Sequence, residues 1–236
     1  MTTSGTTDFQ LNMIEAIEEA WERCGLEVRG GYDARTSRRS INLMLQDWSN
    51  KGLNLFTYEE RTQLLTYGVG EYFLGADIVD VIEQVVQLPP YGSTPQISRI
   101  NMTRVSISTQ ATRTNPNITG RPVEVYYHRG TAGITAHVWP LPGSEGPFTL
   151  VYHCLRRIED AGVFTNTGDF PFRFLPAFIA GLAYYIAQKK RRDDPNLVAT
   201  LKAEYAEAWA DAASEDREKA TLSITPRSSS YRVGTN

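Results

Sequence analysis

Both ends of the chain have the hydrophobic periodicity of amphipathic helices. Near the N-terminus, apolar residues recur at helical spacing from Phe9 to Cys24, and Gly25 then supplies the left-handed residue on which a helix commonly ends. Acidic residues occupy the other positions of this helix: Glu15, Glu18, Glu19 and Glu22. We expect Thr7 or Asp8 to cap it, because their side-chain oxygens accept hydrogen bonds from the first free backbone amides.

A second helix is predicted to begin near Asp33, after the Gly30-Gly31 pair, and to end at Lys51-Gly52. Its apolar stripe runs from Ile41 to Trp48. Three arginines lie opposite that stripe: Arg35, Arg38 and Arg39. Because the connection between the two helices is short, we expect residues 1–54 to form an antiparallel helical hairpin.

The middle of the chain, residues 55–160, has the short alternations that are typical of antiparallel strands. Ile78 to Leu88 is the longest predicted strand, and Pro89-Pro90 ends it. A turn at residues 67–71 joins two earlier strands, and residues 95–119 are predicted to be a loop with one short helix. Three further strands are predicted at 122–128, 134–139 and 148–155. Consecutive pairing of these three would make a β-meander.

Helical periodicity returns in residues 161–220, which we expect to complete the helical platform. Residues 172–190 are apolar almost all round, a pattern typical of a buried helix. Cations follow at its C-terminal end, where they complement the helix dipole: Lys189, Lys190, Arg191 and Arg192. Asp194-Pro195 then opens a last helix with an apolar stripe over 197–212. The expected fold is α+β, a helical bundle from the N- and C-terminal helices with a β-rich antiparallel insertion and an extended C-terminal tail.

The tail, residues 221–236, is rich in Ser and Thr and contains no acidic residue. Its scattered apolar residues are spaced as in an extended strand, a pattern that favours an arm added to a partner. A solvated tail without a partner is the alternative. The candidate contact residues in the tail are Leu222, Ile224, Arg227, Tyr231, Arg232 and Val233.

The composition excludes several classes of protein. The chain has 236 residues and 24 Lys and Arg against 27 Asp and Glu, and this net charge of −3 argues against general electrostatic capture of nucleic acid. Cys24 and Cys154 cannot form a disulfide framework, and no Cys or His spacing is typical of a zinc site. No apolar run is long enough to span a bilayer, and no signal peptide is apparent. We therefore expect a soluble protein of a reducing compartment.

No catalytic motif is found in the sequence, so we expect no cofactor and no metal. Gly68-Val69-Gly70 is followed by Gly75, which breaks the spacing of a dinucleotide-binding loop. Three histidines lie in predicted strands, where neighbouring strands would bring them together as metal ligands: His128, His137 and His153. Three loop carboxylates offer an acid/base pair: Glu159, Asp160 and Asp169. A small enzyme that uses one of these sets is the alternative to a structural protein.

The basic residues on the helices have three interpretations. Arg35, Arg38 and Arg39, together with Lys189 and Lys190, form a solvated face, a contact with a subunit or a partner, or a lining that faces DNA. The sequence leaves these interpretations open.

Seven short motifs occur in an order that resembles the head-to-tail adaptor family of short-tailed bacteriophages, also called connector or first-ring tail-tubular proteins. In chain order they are Gly120-Arg121-Pro122, Tyr126-Tyr127, Trp139-Pro140-Leu141-Pro142, Arg156-Arg157-Ile158-Glu159, Asp169-Phe170-Pro171, Leu175-Pro176-Ala177 and Gly181-Leu182-Ala183-Tyr184-Tyr185. The resemblance spans roughly residues 9–215.

The resemblance implies a structural virion protein at the head-tail junction, made in the host cytoplasm and without catalytic residues. Known relatives form rings of twelve subunits that dock under the portal protein, extend the DNA channel and support the next tail or nozzle protein. Their C-terminal segment reaches along the portal, which makes residues 221–236 the expected portal-binding segment. Double-stranded DNA would pass through the lumen without sequence-specific contact. A tail-completion plug that contacts DNA directly is a further alternative.

Overall fold

The computed structural model describes residues 11–51, 55–89, 97–163 and 165–216. Its helices are α1 Met13–Arg23, α2 Gly31–Asn50, α3 Ile107–Ala111, α4 Leu175–Lys190 and α5 Pro195–Glu215. Its strands are β1 Tyr58–Leu65, β2 Glu71–Gly75, β3 Ile78–Gln87, β4 Arg99–Asn101, β5 Thr103–Arg104, β6 Thr119–Gly120, β7 Glu124–Gly130, β8 Gly133–Trp139, β9 Leu141–Pro142 and β10 Phe148–Arg156. The fold is α+β, as predicted.

Helix α4 forms the centre of the helical core, and α1, α2 and α5 all pack against it. Phe174, just before it, and Leu182 and Ile186 within it are fully buried, which confirms the prediction of a buried apolar helix. The expected hairpin of α1 and α2 takes a different form, because each packs chiefly on α4. One buried hydrogen bond joins the two directly, from Trp21 Nε1 to Ser37 Oγ at 2.8 Å.

Helix α1 begins later than the periodicity predicted. Its cap is Asn12, which accepts a hydrogen bond from the Glu15 amide at 2.9 Å, while the Glu15 carboxylate accepts one from the Asn12 amide at 3.0 Å. This reciprocal pair satisfies two free amides at once, so it sets the helix start. Thr7 and Asp8, the predicted caps, lie outside the described residues. Gly25 has the expected left-handed conformation, with φ of 66°.

The strands form two four-stranded sheets whose apolar faces pack on each other. One sheet has the order β1-β10-β3-β4 and the other β2-β8-β7-β5, and β6 and β9 make a small parallel pair. Leu150 and Val81 of the first sheet share a core with Val125, Ala136 and Val138 of the second. This core is separate from the one around α4. The insertion therefore has a hydrophobic core of its own.

The predicted β-meander is wrong. β7 and β8 pair as a hairpin, but β10 crosses to the other sheet and pairs with β1 and β3. The turn at 67–71 also links strands of different sheets rather than a pair. The loop expected over 95–119 does contain the short helix α3, but β4, β5 and the start of β6 lie there too.

Candidate functional site: a basic face on the helical bundle

The two predicted groups of cations lie side by side. Helix α2 buries Ser37, Ser40 and Ile41, so its arginines project to the exposed side. The C-terminal end of α4 reaches this surface, where Lys189 Nζ donates to Ser40 Oγ at 2.8 Å. We call this surface the basic face, and it consists of Arg35, Arg38, Arg39, Lys189 and Lys190.

The arginines of the basic face bond to uncharged acceptors. Arg35 donates to the Gly31 carbonyl at 3.2 Å and Arg39 to Thr36 Oγ1 at 3.3 Å, both within α2. Arg38 donates to the Gly162 carbonyl at 3.3 Å. Within the described parts of the chain, the ion pairs found include no carboxylate partner for these arginines or for Lys189. Their charge is therefore not neutralised by the fold.

The electrostatics of Lys189 indicate crowded positive charge. Burial and the nearby Arg39 guanidinium, in that order, lower the pKa of Lys189 below its usual value. Lys190 differs, because it pairs with Asp33 at 2.9 Å and lowers the pKa of that carboxyl by hydrogen bonding. Its ammonium also lies 5.3 Å from the ring centre of Trp21, a cation–π distance. Lys190 thus fixes α4 to α1 and α2, while Lys189 adds to the unneutralised charge.

Helix α1 presents the opposite charge. Glu15 closes the helix cap and Glu19 pairs with Arg23 at 3.0 Å, so these two carboxylates are already engaged. Glu18 and Glu22 are exposed and have no hydrogen-bonded or ion-paired side chain among the residues that the structure describes. We call Glu18 and Glu22 the acidic face. The sequence pattern contained these glutamates but gave no reason to connect them with the arginines of α2.

Several motif residues of the proposed family resemblance hold the fold together. Arg156 binds Asp169 through both guanidinium nitrogens and also pairs with Glu59 at 2.8 Å, so it joins β10, β1 and the loop before α4. Trp139 donates to the Asn115 carbonyl at 3.1 Å and lies under the guanidinium of Arg113. These contacts give the motif residues a structural purpose.

Asp169, one of the three loop carboxylates, is held in an ion pair with Arg156. Burial alone would raise the pKa of Asp169, but the hydrogen bonds from Arg156 and from the Glu159 amide outweigh it and hold that pKa below its usual range. An Asp that stays ionised in this way is a poor general acid. Glu159 and Asp160 line a cleft of about 500 Å³ beside α2, which they share with Arg157.

The three histidines are divided between the two sheets. His128 and His137 lie on β7 and β8, whereas His153 lies on β10 in the other sheet. His137 is 3.4 Å from a Glu71 oxygen and His153 is 3.7 Å from a Glu60 oxygen. Over residues 11–51, 55–89, 97–163 and 165–216, no group of three or more His, Cys, Asp or Glu side chains could hold a metal ion.

Comparison with known families identifies the chain. The family model of the SU10 adaptor protein matches residues 13–228. The chain belongs to the SU10 adaptor protein family. No curated protein sequence matches it.

Membership of this family makes the chain a phage structural adaptor and a component of the virion at the head-tail junction. The match begins at the first residue of α1 and continues beyond α5, so it includes the helices of both the basic face and the acidic face. It also reaches Leu222, Ile224 and Arg227 of the predicted tail contacts, and it ends before Tyr231. All six tail residues lie outside the described part of the chain. Among the helices of the described residues, none is long and apolar enough to cross a membrane.

Proposed function

We propose that this adaptor assembles into a ring that joins the portal protein to the next tail or nozzle protein. This is the role of its counterparts in short-tailed phages. The observation that carries this proposal is the family match over residues 13–228, which spans nearly the whole chain. A dodecamer is the expected ring, since it would match a portal of twelve subunits. The subunit is synthesised in the host cytoplasm and joins the virion during assembly.

The ring would extend the DNA channel for retention and ejection of the genome. DNA that moves through a channel must not adhere to it, because each neutralised phosphate adds affinity and resists movement. A subunit with a net charge of −3 suits such a conduit. Contacts with the passing double helix would then be few and independent of sequence.

The tail of residues 221–236 is the proposed portal-binding arm. The segment contains no acidic residue. Fixing an extended arm on a partner costs conformational entropy at the moment of binding, so this arm would bind only once the portal ring offers a surface for it. Its proposed contacts are Leu222, Ile224, Arg227, Tyr231, Arg232 and Val233. This arrangement would keep free subunits from assembling before a portal is available.

The test mixes the purified adaptor with portal rings of the same phage and images the product by electron microscopy. We expect a ring of adaptor density on one end of the portal, with one adaptor per portal subunit. The proposal would be contradicted if the adaptor did not bind the portal at any concentration. Turnover of a substrate would instead favour the enzyme alternative, and tight, salt-sensitive DNA binding would favour the plug.

Two truncations test the tail. Deletion of residues 221–236 should abolish portal binding while the midpoint of thermal unfolding stays unchanged, because the proposed arm contacts the portal rather than its own subunit. Deletion of residues 229–236 removes only the part of the tail beyond the family match. A third variant keeps the full length and replaces the six proposed contact residues with Ser. Portal binding retained by both the deletion of 221–236 and the Ser variant would reject the role of the arm.

A further inference from the structure

The exposed side of α2 combines charge with apolar side chains. Tyr32 and Leu43 are 64% and 56% exposed, and they lie at the two ends of a stripe that contains Arg35 and Arg39. The spacings along this stripe are three and four residues, so its members are neighbours on one side of the helix. Arginine and tyrosine beside an exposed aliphatic residue are typical of a protein–protein interface. The composition of this surface therefore favours a protein partner.

Helix α1 has a stripe of matching character. Ile14, Glu18 and Glu22 follow one another at intervals of four residues, and Ile14 is 42% exposed. Here an aliphatic residue stands beside two carboxylates that are free of ion pairs in the described structure. The two helices thus present opposite charges, each beside exposed apolar surface.

The two faces belong to one chain but do not pair within it. Across the described residues, no ion pair joins a glutamate of α1 to the basic face. In a ring, every subunit uses two different surfaces, one toward each neighbour, and these two surfaces must complement each other. Resting on the proposed ring function, we propose that the acidic face of one subunit docks on the basic face of the next. The partner is a second copy of this chain.

Placing the basic face at the lumen instead would work against the proposed conduit. Arg35, Arg38, Arg39 and Lys189 repeated around the ring would bind many phosphates, and the affinity for DNA would rise with every contact. In the subunit contact the same charges meet carboxylates. That pairing also relieves the repulsion between Arg39 and Lys189, which the fold of a single subunit leaves in place.

The test exchanges charges between the two faces. Arg35→Glu with Arg39→Glu reverses two side chains whose hydrogen bonds stay within α2, so the fold should be retained. Glu18→Lys with Glu22→Lys reverses the acidic face without disturbing the Asn12 cap. Each pair alone should raise the adaptor concentration for half-maximal ring formation on the portal by about tenfold or more, because like charges then face each other. Combining all four changes restores complementarity and the original net charge, so assembly should recover.

A matched control places the same reversal on cations that belong to neither face. Arg121→Glu with Lys202→Glu changes two exposed cations, and ring formation should keep its original concentration dependence. Circular dichroism and thermal unfolding report whether each variant is folded.

The outcomes separate this inference from the proposed function. Failure of the unaltered chain to form rings on the portal refutes the ring function itself. If the unaltered chain forms rings and the single-face reversals assemble equally well, the face-to-face contact is wrong. If the two single-face variants fail to form rings and the variant with all four substitutions does not recover ring formation, α1 is not the partner of α2. DNA binding that disappears only in the Arg35→Glu, Arg39→Glu variant, with rings intact, would assign the basic face to DNA.

Discussion

Gly181 lies where α2, α4 and α5 meet, and we predict that Gly181→Ala destabilises the fold. A Cβ at this position would be 2.6 Å from Met44 Sδ and 2.8 Å from Cε2 of the Tyr205 ring. The end of the Met44 side chain can move aside. The Tyr205 ring cannot easily do so, because its hydroxyl accepts hydrogen bonds from Trp48 Nε1 and Lys51 Nζ, both at 2.8 Å.

Two opposing effects set the magnitude. Alanine is a better helix former than glycine by about 1 kcal/mol. Forcing extra volume into a filled core costs about 1–3 kcal/mol, and two contacts below 3.0 Å place this site toward the upper end. The free energy of unfolding should therefore fall by about 1–2 kcal/mol. For a chain of this size the midpoint of thermal unfolding should decrease by about 3–6 °C.

The measurement is urea unfolding followed by tryptophan fluorescence, with Ala206→Gly as the control. Ala206 lies on the exposed side of α5, so that change reports helix propensity without a packing term. Gly181→Ala should cost less in a Tyr205→Ala background, since removal of the ring leaves room for the new methyl group. Equal or greater stability of Gly181→Ala, or strict additivity with Tyr205→Ala, would refute the packing argument.

Two further changes test contacts that join separate elements. Asp169→Asn should lower the free energy of unfolding by about 1–3 kcal/mol at neutral pH, because it breaks the ion pair with Arg156. Because folding lowers the pKa of Asp169, the full loss of stability is expected above the unfolded-state pKa of about 3.9, and it should vanish as the pH falls through the folded-state pKa. A stability difference between Asp169→Asn and the unaltered chain that stays constant down to acid pH would contradict this prediction. Ser37→Ala should cost about 1–2 kcal/mol in urea unfolding by leaving Trp21 Nε1 unbonded, and Trp21→Phe should cost less in that background than in the unaltered chain.

Features that depend on local signals could be predicted from the sequence. The end of α4 and the start of α5 are examples, since Asp194 accepts a hydrogen bond from the Leu197 amide at 3.0 Å, as an N-cap should. The start of α1 was also within reach, because Asn12 and Glu15 have the spacing of a capping box. The expectation of an earlier cap followed the apolar periodicity and gave too little weight to this pair.

Strand partners could not be predicted in the same way. The alternation in β10 identifies a strand, but its position between β1 and β3 depends on which faces must be buried together. β7 and β8 pair because a tight turn at Thr131-Ala132 joins them. No comparable local constraint connects β10 to its neighbours β1 and β3, because both strands lie far from β10 along the chain.

The candidate site shows the same limit. Arg39 and Lys189 were each predicted as exposed cations, but they are separated by most of the chain and become neighbours only because α2 packs on α4. Their shared lack of a carboxylate partner is likewise a property of the folded surface. Glu18 and Glu22 gain significance for the same reason, once the ion pairs of the fold are known.

The net charge of −3 is thus the small difference between positive and negative charges that lie on separate surfaces of the subunit. In the two sheets, opposite charges meet within the chain, as in the pairs Arg61 with Asp77 and Arg99 with Glu60. On the helices, Lys190 pairs with Asp33, but the other cations of the basic face and both carboxylates of the acidic face find no such partners in the described structure. An exposed ion pair within one subunit would add little stability, so the fold of a single chain does not require these charges to pair. In the proposed ring each face would meet its complement on a neighbour, which would give their separation a physical purpose.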